Sequence, residues 1–167
     1  MTFSVWRIED DCLQAAPKIR IDYKGPNPLG LVEKILEVTQ KVLGIKKTDM
    51  WESQFRWDIN VGPQDPRRFY LRAYAYKGLD EKTFILIELI FNGKQPPNPT
   101  QSEMLRIEIA ARLITRYPLR GELKQTWFYR TLLKAYHQAT YARERAKYLT
   151  TCTELAERLA AEIRKLI

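Results

Sequence analysis

Residues Glu103 to Tyr117 read EMLRIEIAARLITRY, and their alternation decides the fold. The odd positions hold Leu105, Ile107, Ile109, Ala111 and Leu113; the even ones hold Arg106, Glu108, Ala110, Arg112 and Arg116. A period of two sustained this long belongs to a strand with one apolar and one polar side. At a helical period of 3.6 the same apolar residues scatter around the axis.

The same period occurs twice upstream. From Met50, Trp51, Ser53, Phe55, Trp57, Ile59 and Val61 share one side, while Glu52, Gln54, Arg56, Asp58 and Asn60 share the other. After a turn over Gly62 to Pro66, Phe69, Leu71, Ala73 and Ala75 oppose Tyr70, Arg72, Tyr74 and Tyr76. Thr83 to Asn92 is apolar on both sides apart from Glu88, which predicts a central strand. The proline-rich loop Lys94 to Gln101 then leads into the quoted stretch, so four hairpin-linked strands form a meander. Phe3 to Ile8 and Lys18 to Lys24 read as two further strands, joined by the acidic trio Glu9, Asp10, Asp11 and a loop.

Two helices complete the chain. Asn27 can cap, and Pro28 at the first helical position wastes no amide; Leu31, Ile35, Val38 and Val42 follow at helical spacing until Gly44. Beyond Gly121 there is no Gly or Pro, and Phe128, Leu132, Ala135, Ala139, Ala142, Ala146 and Leu149 make an alanine-rich seam. It resumes at Ala156, Ala160 and Ile163. Unbroken, this helix runs about 68 Å, longer than the sheet, so it overhangs or breaks. A capping box of Thr151 with Glu154 places the break near Thr150 to Thr153. The expectation is a single α+β domain over 1–167. An antiparallel meander sheet of five to six strands lies within 3–24 and 50–117. A helix over 28–43 and a long, broken helix over 122–167 cover its apolar face.

The chain carries 28 Lys and Arg against 20 Asp and Glu, a net charge of +8. That balance favours a polyanionic partner and says nothing of fold. Leu119 to Tyr148 concentrates it, with seven basic residues against Glu122 and Glu144 and with Trp127, Phe128, Tyr129, Tyr136, Tyr141 and Tyr148 among them. Basic side chains interleaved with aromatics suit a phosphate backbone with exposed bases. Cys12 and Cys152 are two and far apart, no apolar leader precedes them, and no run is long enough for a membrane span, so a cytoplasmic setting with reduced thiols is expected. The widely spread charge would suit a thermophile.

Catalytic signals are few. Neither cysteine has a local signature, His137 is the sole histidine and lies mid-helix, and there is no P-loop, G-x-G-x-x-G, C-x-x-C or H-E-x-x-H. Glu9 to Asp11, and Asp80 with Glu81, read as solvated turns rather than cation sites, so no metal or cofactor is expected. The polar side of the sheet offers Arg20, Arg56, Arg72, Arg106, Arg112 and Arg116 with Tyr70, Tyr74 and Tyr76; interleaved acids (Glu52, Asp58, Glu88, Glu108) can pair with these arginines.

Three segments, IDYKGPNP (21–28), Glu52-x-x-Phe55-x-Trp57-Asp58 and YHQATYARER (136–145), resemble those of an archaeal family of small basic proteins of unassigned activity. The resemblance implies no catalytic residues. The order of elements is also similar to the helix-grip folds, which implies a cavity between sheet and C-terminal helix; one early helix rather than two departs from that pattern.

The sequence thus points to non-catalytic binding of a polyanion such as RNA or a ribonucleoprotein. Arg112, Arg116, Arg120, Lys124 and Arg130 are the expected phosphate contacts, and Arg72 with Tyr74 the stacking pair. The alternatives are a small-molecule or enzymatic cavity lined by Trp51, Phe55, Trp57 and Trp127, and a structural role in which the Ala-rich C-terminal helix pairs with that of a second copy as a homodimer.

Overall fold

The computed structural model describes residues 4–119 and 127–167. The quoted stretch lies within β6 (Ser102–Leu119), which pairs along both of its edges. On one side follow β5 (Thr83–Gln95), β4 (Arg67–Gly78) and β3 (Met50–Trp57), all antiparallel. The other edge is shared end to end, β2 (Ile19–Pro26) pairing with residues 102–109 and β1 (Ser4–Asp11) with residues 112–119. The described sheet is thus six-stranded and antiparallel. The acidic trio belongs to β1 rather than to a loop, because Glu9, Asp10 and Asp11 pair opposite Ile114, Leu113 and Arg112.

Alternation divides the sheet into two sides. Ile107, Ile109, Ala111 and Leu113 have no exposed surface, and with Phe69, Leu71, Ile85, Ile87, Leu89 and Phe91 they form the core. Arg106, Arg112 and Arg116 stand on the opposite, outer side. α1 (Pro28–Leu43) covers the inner side through Leu31, Val32 and Ile35. Asn27, in left-handed backbone (φ 46), accepts from the Gly30 amide at 3.2 Å. Gly44 (φ 61) takes the left-handed closing position that a side chain would strain.

The C-terminal rod is continuous from Trp127 to Arg164, so the break expected near Thr150 is absent. It comprises α2 (Trp127–Tyr136), a π turn (His137–Tyr141) and α3 (Ala142–Arg164). The threonines do not cap a new helix; Thr150 and Thr151 donate back to the carbonyls of Ala146 and Lys147 at 3.3 and 3.1 Å. The irregularity is the π turn, where one inserted residue rotates the faces on either side. The front of the predicted seam is exposed: Phe128, Leu132 and Ala135 before the π turn, Ala139 within it, and Ala142 and Ala146 after it. α3 packs through Arg145, Cys152, Ala156, Leu159, Ala160 and Ile163 instead. No described helix is long and apolar enough to cross a membrane.

Two long-range ties fasten α3 to the sheet. Cys12 and Cys152, expected as reduced thiols, form a buried disulfide between Cα atoms 5.8 Å apart across 140 residues of sequence. That pairing overturns the expectation of reduced thiols, one of the grounds for a cytoplasmic setting. It falls where β1 gives way to β2: the Cys12 amide donates to Ala111 O at 2.9 Å, and Cys12 O accepts the Thr153 hydroxyl at 2.7 Å. The second tie is Arg145, 6% exposed. Its Nε donates to Thr115 Oγ1 at 3.1 Å, one terminal nitrogen to Ile8 O and Leu113 O at 3.3 and 3.2 Å, and the other to Asp10. The burial cost of the guanidinium is offset because four of its five N–H donors have partners.

Both ties predict measurable losses. Cys12→Ser, which frees the denatured chain, is expected to lower unfolding free energy by about 3–5 kcal/mol in urea titrations. The unreduced native protein should show no thiol reactive to Ellman's reagent under denaturing conditions. Arg145→Ala, which strands several buried acceptors, should cost about 3 kcal/mol in the same titration.

Candidate polyanion-binding face

Both described helices that pack on the sheet do so on its inner side, leaving the outer side uncovered by any described element. By register the outer side carries Arg7, Arg20, Lys24, Arg56, Arg68, Arg72, Lys94, Arg106, Arg112 and Arg116. Against these ten cations stand five described anions, Glu9, Asp11, Asp22, Glu88 and Glu108. The anions do not spread their neutralisation evenly. Glu9 binds Arg7 at 2.6 Å and Arg112 at 3.1 Å; Asp22 binds Arg106 at 2.9 Å. Glu108 takes Lys18 at 3.0 Å and Arg20 at 3.2 Å, and the Lys18 hydrogen bond, opposed by burial, holds its carboxyl below the usual range. Lys24, Arg68 and Lys94 are in no ion pair described here. Arg116 lies over the Phe84 ring at 4.8 Å, and Arg56 sits 6.0 Å from the Tyr70 centroid.

Glu88, only 9% exposed, anchors the middle of this face. It accepts from the Tyr74 hydroxyl at 3.1 Å and faces Arg72 at 3.3 Å and Arg112 at 3.8 Å. Burial first, then the Glu88 charge, pushes the Tyr74 phenol up. Each member of the expected stacking pair already lies against another ring. Tyr74 stacks on Trp51 at 5.6 Å, and Arg72 lies over Tyr70 at 6.0 Å. Tyr70 is thus flanked by the guanidiniums of Arg56 and Arg72. Beside it a shallow cleft of about 280 Å³ is lined by Lys18, Tyr70, Arg72, Ile90, Asn92, Arg106 and Glu108.

Of the expected phosphate contacts, Arg112 and Arg116 lie on this face with Arg72, and Arg130 belongs to α2. Arg120 and Lys124 fall outside the described residues. The four aromatics proposed to line a cavity are dispersed. A shift of register between Glu52 and Gln54 puts Trp51 on the outer side while Phe55 and Trp57 pair on the inner one, so the strict alternation expected through Ser53 fails. Phe55 is 51% exposed, and Trp127 is 78% exposed on α2.

A second polar cluster, under the π turn, was dispersed in sequence. His137 Nδ1 meets the Tyr117 hydroxyl at 3.0 Å, Tyr117 stacks on Trp6 at 5.0 Å, and the Tyr141 hydroxyl donates to Asp80 at 2.5 Å. Asp80 is engaged here, and Asp10 by Arg145, rather than left as solvated turns. Burial raises the Tyr117 phenol to about 12, and burial with the nearby Arg145 charge lowers the His137 imidazole. The histidine is therefore neutral at pH 7 and adds nothing to the cationic surface. Neutral imidazole and phenol side by side form a hydrogen-bonded pair that ties the π turn to β6.

No family model matches the chain, and no curated protein does. Among solved structures it is similar to a delta-endotoxin at 8% identity and a TM-score of 0.35, covering 69% of this chain and 63% of that one. The archaeal likeness gains no support from these comparisons.

His137 titrates alone in this chain, so its proton NMR curve is unambiguous. Its midpoint is expected below the unperturbed value of about 6.5. Because the folded value is the depressed one, stability from the neutral ring is complete above about 6.5 and drains away as pH falls through the folded midpoint. Unfolding titrations across that window should show the slope, and His137→Phe should lack it.

Proposed function

We propose that the chain binds a polyanion non-catalytically through the outer side of its sheet, single-stranded RNA or a ribonucleoprotein being the partner its chemistry suits. The observation that carries this reading is the bare face on which ten cations outnumber five anions around a tyrosine flanked by two guanidiniums. Arginine forks take phosphate oxygens, and both tyrosine and guanidinium planes accept a stacked base. In this reading Tyr70 and Arg72 form the stacking platform, with Arg106 and Asn92 along the cleft beside it. Arg68, Lys94, Lys24 and Arg116 track the backbone, and Arg112, shared between two acids, contributes less. The interleaved acids keep the protein from binding every anion tightly. Pairing of two copies along the Ala-rich C-terminal helix would place two such faces in one particle and raise avidity. A cytoplasmic location fits the disulfide only in an organism whose cytosol tolerates disulfides, as in hyperthermophiles.

The test is fluorescence anisotropy of a labelled single-stranded RNA titrated with protein over a range of salt. The logarithm of affinity should fall linearly with that of salt, by roughly 0.7 per phosphate engaged. Arg68→Ala should reduce that slope by about one contact. Tyr70→Ala should weaken binding by about 1–3 kcal/mol with the slope unchanged. Glu88→Gln, which releases Arg72 and Arg112, should tighten binding. Affinity flat in salt, or unmoved by all three substitutions, rejects the reading.

A further inference from the structure

We infer that one end of the sheet's outer side selects guanine through the Arg106 guanidinium, an assignment that rests on the RNA binding proposed above. The positive charge of that side is unevenly placed. Register sets Arg56, Tyr70, Asn92, Arg106 and Asp22 in one row across β3, β4, β5, β6 and β2. Two residues nearer the end of the sheet, the next row holds Arg68, Lys94, Met104 and Lys24. Together the two rows carry five cations against Asp22, with Asp58 just past β3 as a second acid whose carboxylate accepts from the Asn60 amide. The rest of the face carries five cations against four acids, Glu9, Asp11, Glu88 and Glu108. The excess charge therefore gathers at this end. Neighbouring strands lie about 4.8 Å apart, so the row from Arg68 to Lys24 spans about 14 Å. A phosphate backbone crossing the strands there meets three cations, with Met104, 55% exposed, between two of them.

The bases then fall on the row of Tyr70. Tyr70, Asn92 and Arg106 line one cleft of about 280 Å³ with Arg72 and the buried Ile90. Arg106 Nε donates to Asp22 Oδ1 at 2.9 Å, which fixes the guanidinium and leaves its two terminal nitrogens with no partner described here. Two parallel N–H donors match the adjacent O6 and N7 acceptors of guanine. Adenine turns its amino group toward the same donors, and so does cytosine; uracil offers O4 without a second acceptor. Asn92, exposed and in no hydrogen bond described here, stands between the ring and the fork with a donor and an acceptor for a further edge atom of the base.

Fluorescence anisotropy with three short labelled RNAs decides the matter: an all-uracil tract, and the same tract with one central guanine or one central adenine. The guanine tract should bind the full-length protein about tenfold or more tighter than the other two. Arg106→Gln should bring the three affinities together. Asp22→Asn removes an acid and the Nε anchor at once, so it should tighten the all-uracil tract yet shrink the guanine preference. An Asp22 that acted through its charge alone would leave that preference intact. Lys24→Ala should reduce the salt slope by about 0.7, and Arg7→Ala, at the other end of the face, should not. Salt-dependent binding with equal affinity for the three tracts overturns the guanine assignment and leaves the RNA binding standing. A guanine preference that survives Arg106→Gln, or a slope lowered by Arg7→Ala and unmoved by Lys24→Ala, overturns it as well. No salt-dependent binding to any tract rejects both.

Discussion

Eighteen residues of β6 expose backbone amides and carbonyls along two edges, and most of them find partners in neighbouring strands. Buried peptide groups left unpaired would each cost the full desolvation penalty, so so long a strand in a core is viable only if both edges are covered. One neighbour, β5, covers its edge from residue 105 to 115. The other edge needs two strands in sequence, and the chain must leave the sheet between them. The gap falls at Ala110 and Ala111, and the Cys12 amide fills one side of it. Cys12 in turn is held by α3 through the disulfide and the Thr153 hydroxyl. The helix therefore sits where it does because the sheet has a seam to close, as well as an apolar face to cover.

That arrangement sets the electrostatics. With both helices drawn to the inner side, Phe84, Ile90, Ala110 and Ile114 stand by register on the outer side among long charged side chains, all under 9% exposed with no described helix above them. Arginine stems serve as the covering layer while their heads stay wet. The Arg116 guanidinium over Phe84 shows the principle at one position. Acids between them limit repulsion among so many cations, and Glu88 does this for two arginines at once. A cationic outer face is thus part of how a one-layer sheet keeps its second side dry enough to be stable.

Most of the fold was legible because it rests on period and punctuation. The alternation of Leu105 to Leu113 survives in the burial pattern, the two-sided apolar run at Thr83 to Asn92 is the central β5, and Asn27, Pro28 and Gly44 bound α1 as their chemistry demands. The site was less legible because it depends on register. Arg72 and Tyr74 are near in sequence, but only the register sets Arg56 opposite Tyr70, where it joins Arg72 at that ring. Ser53 gives no local signal of the shift that turns Trp51 to the other side. A disulfide spanning 140 residues leaves no pattern in either flank. Arg145 reads as one more surface cation until Thr115, Asp10 and two carbonyls are seen to converge on it.

The C-terminal rod shows why a correct spacing can still give the wrong face. Positions 128, 132, 135, 139, 142 and 146 do keep a helical 3–4 spacing, and a straight α-helix would align them with Ala156, Ala160 and Ile163 on one side. The π turn at His137–Tyr141 spends an extra residue in its turn, so everything before it is rotated against everything after it. What holds the rotation is polar rather than apolar: His137 is bonded to Tyr117, Tyr141 to Asp80 and Thr83, and Arg145 to Thr115. Those groups face the sheet end, where each finds its partner. The cost is an apolar stripe turned to solvent, and a protein keeps such a stripe only where something else comes to cover it.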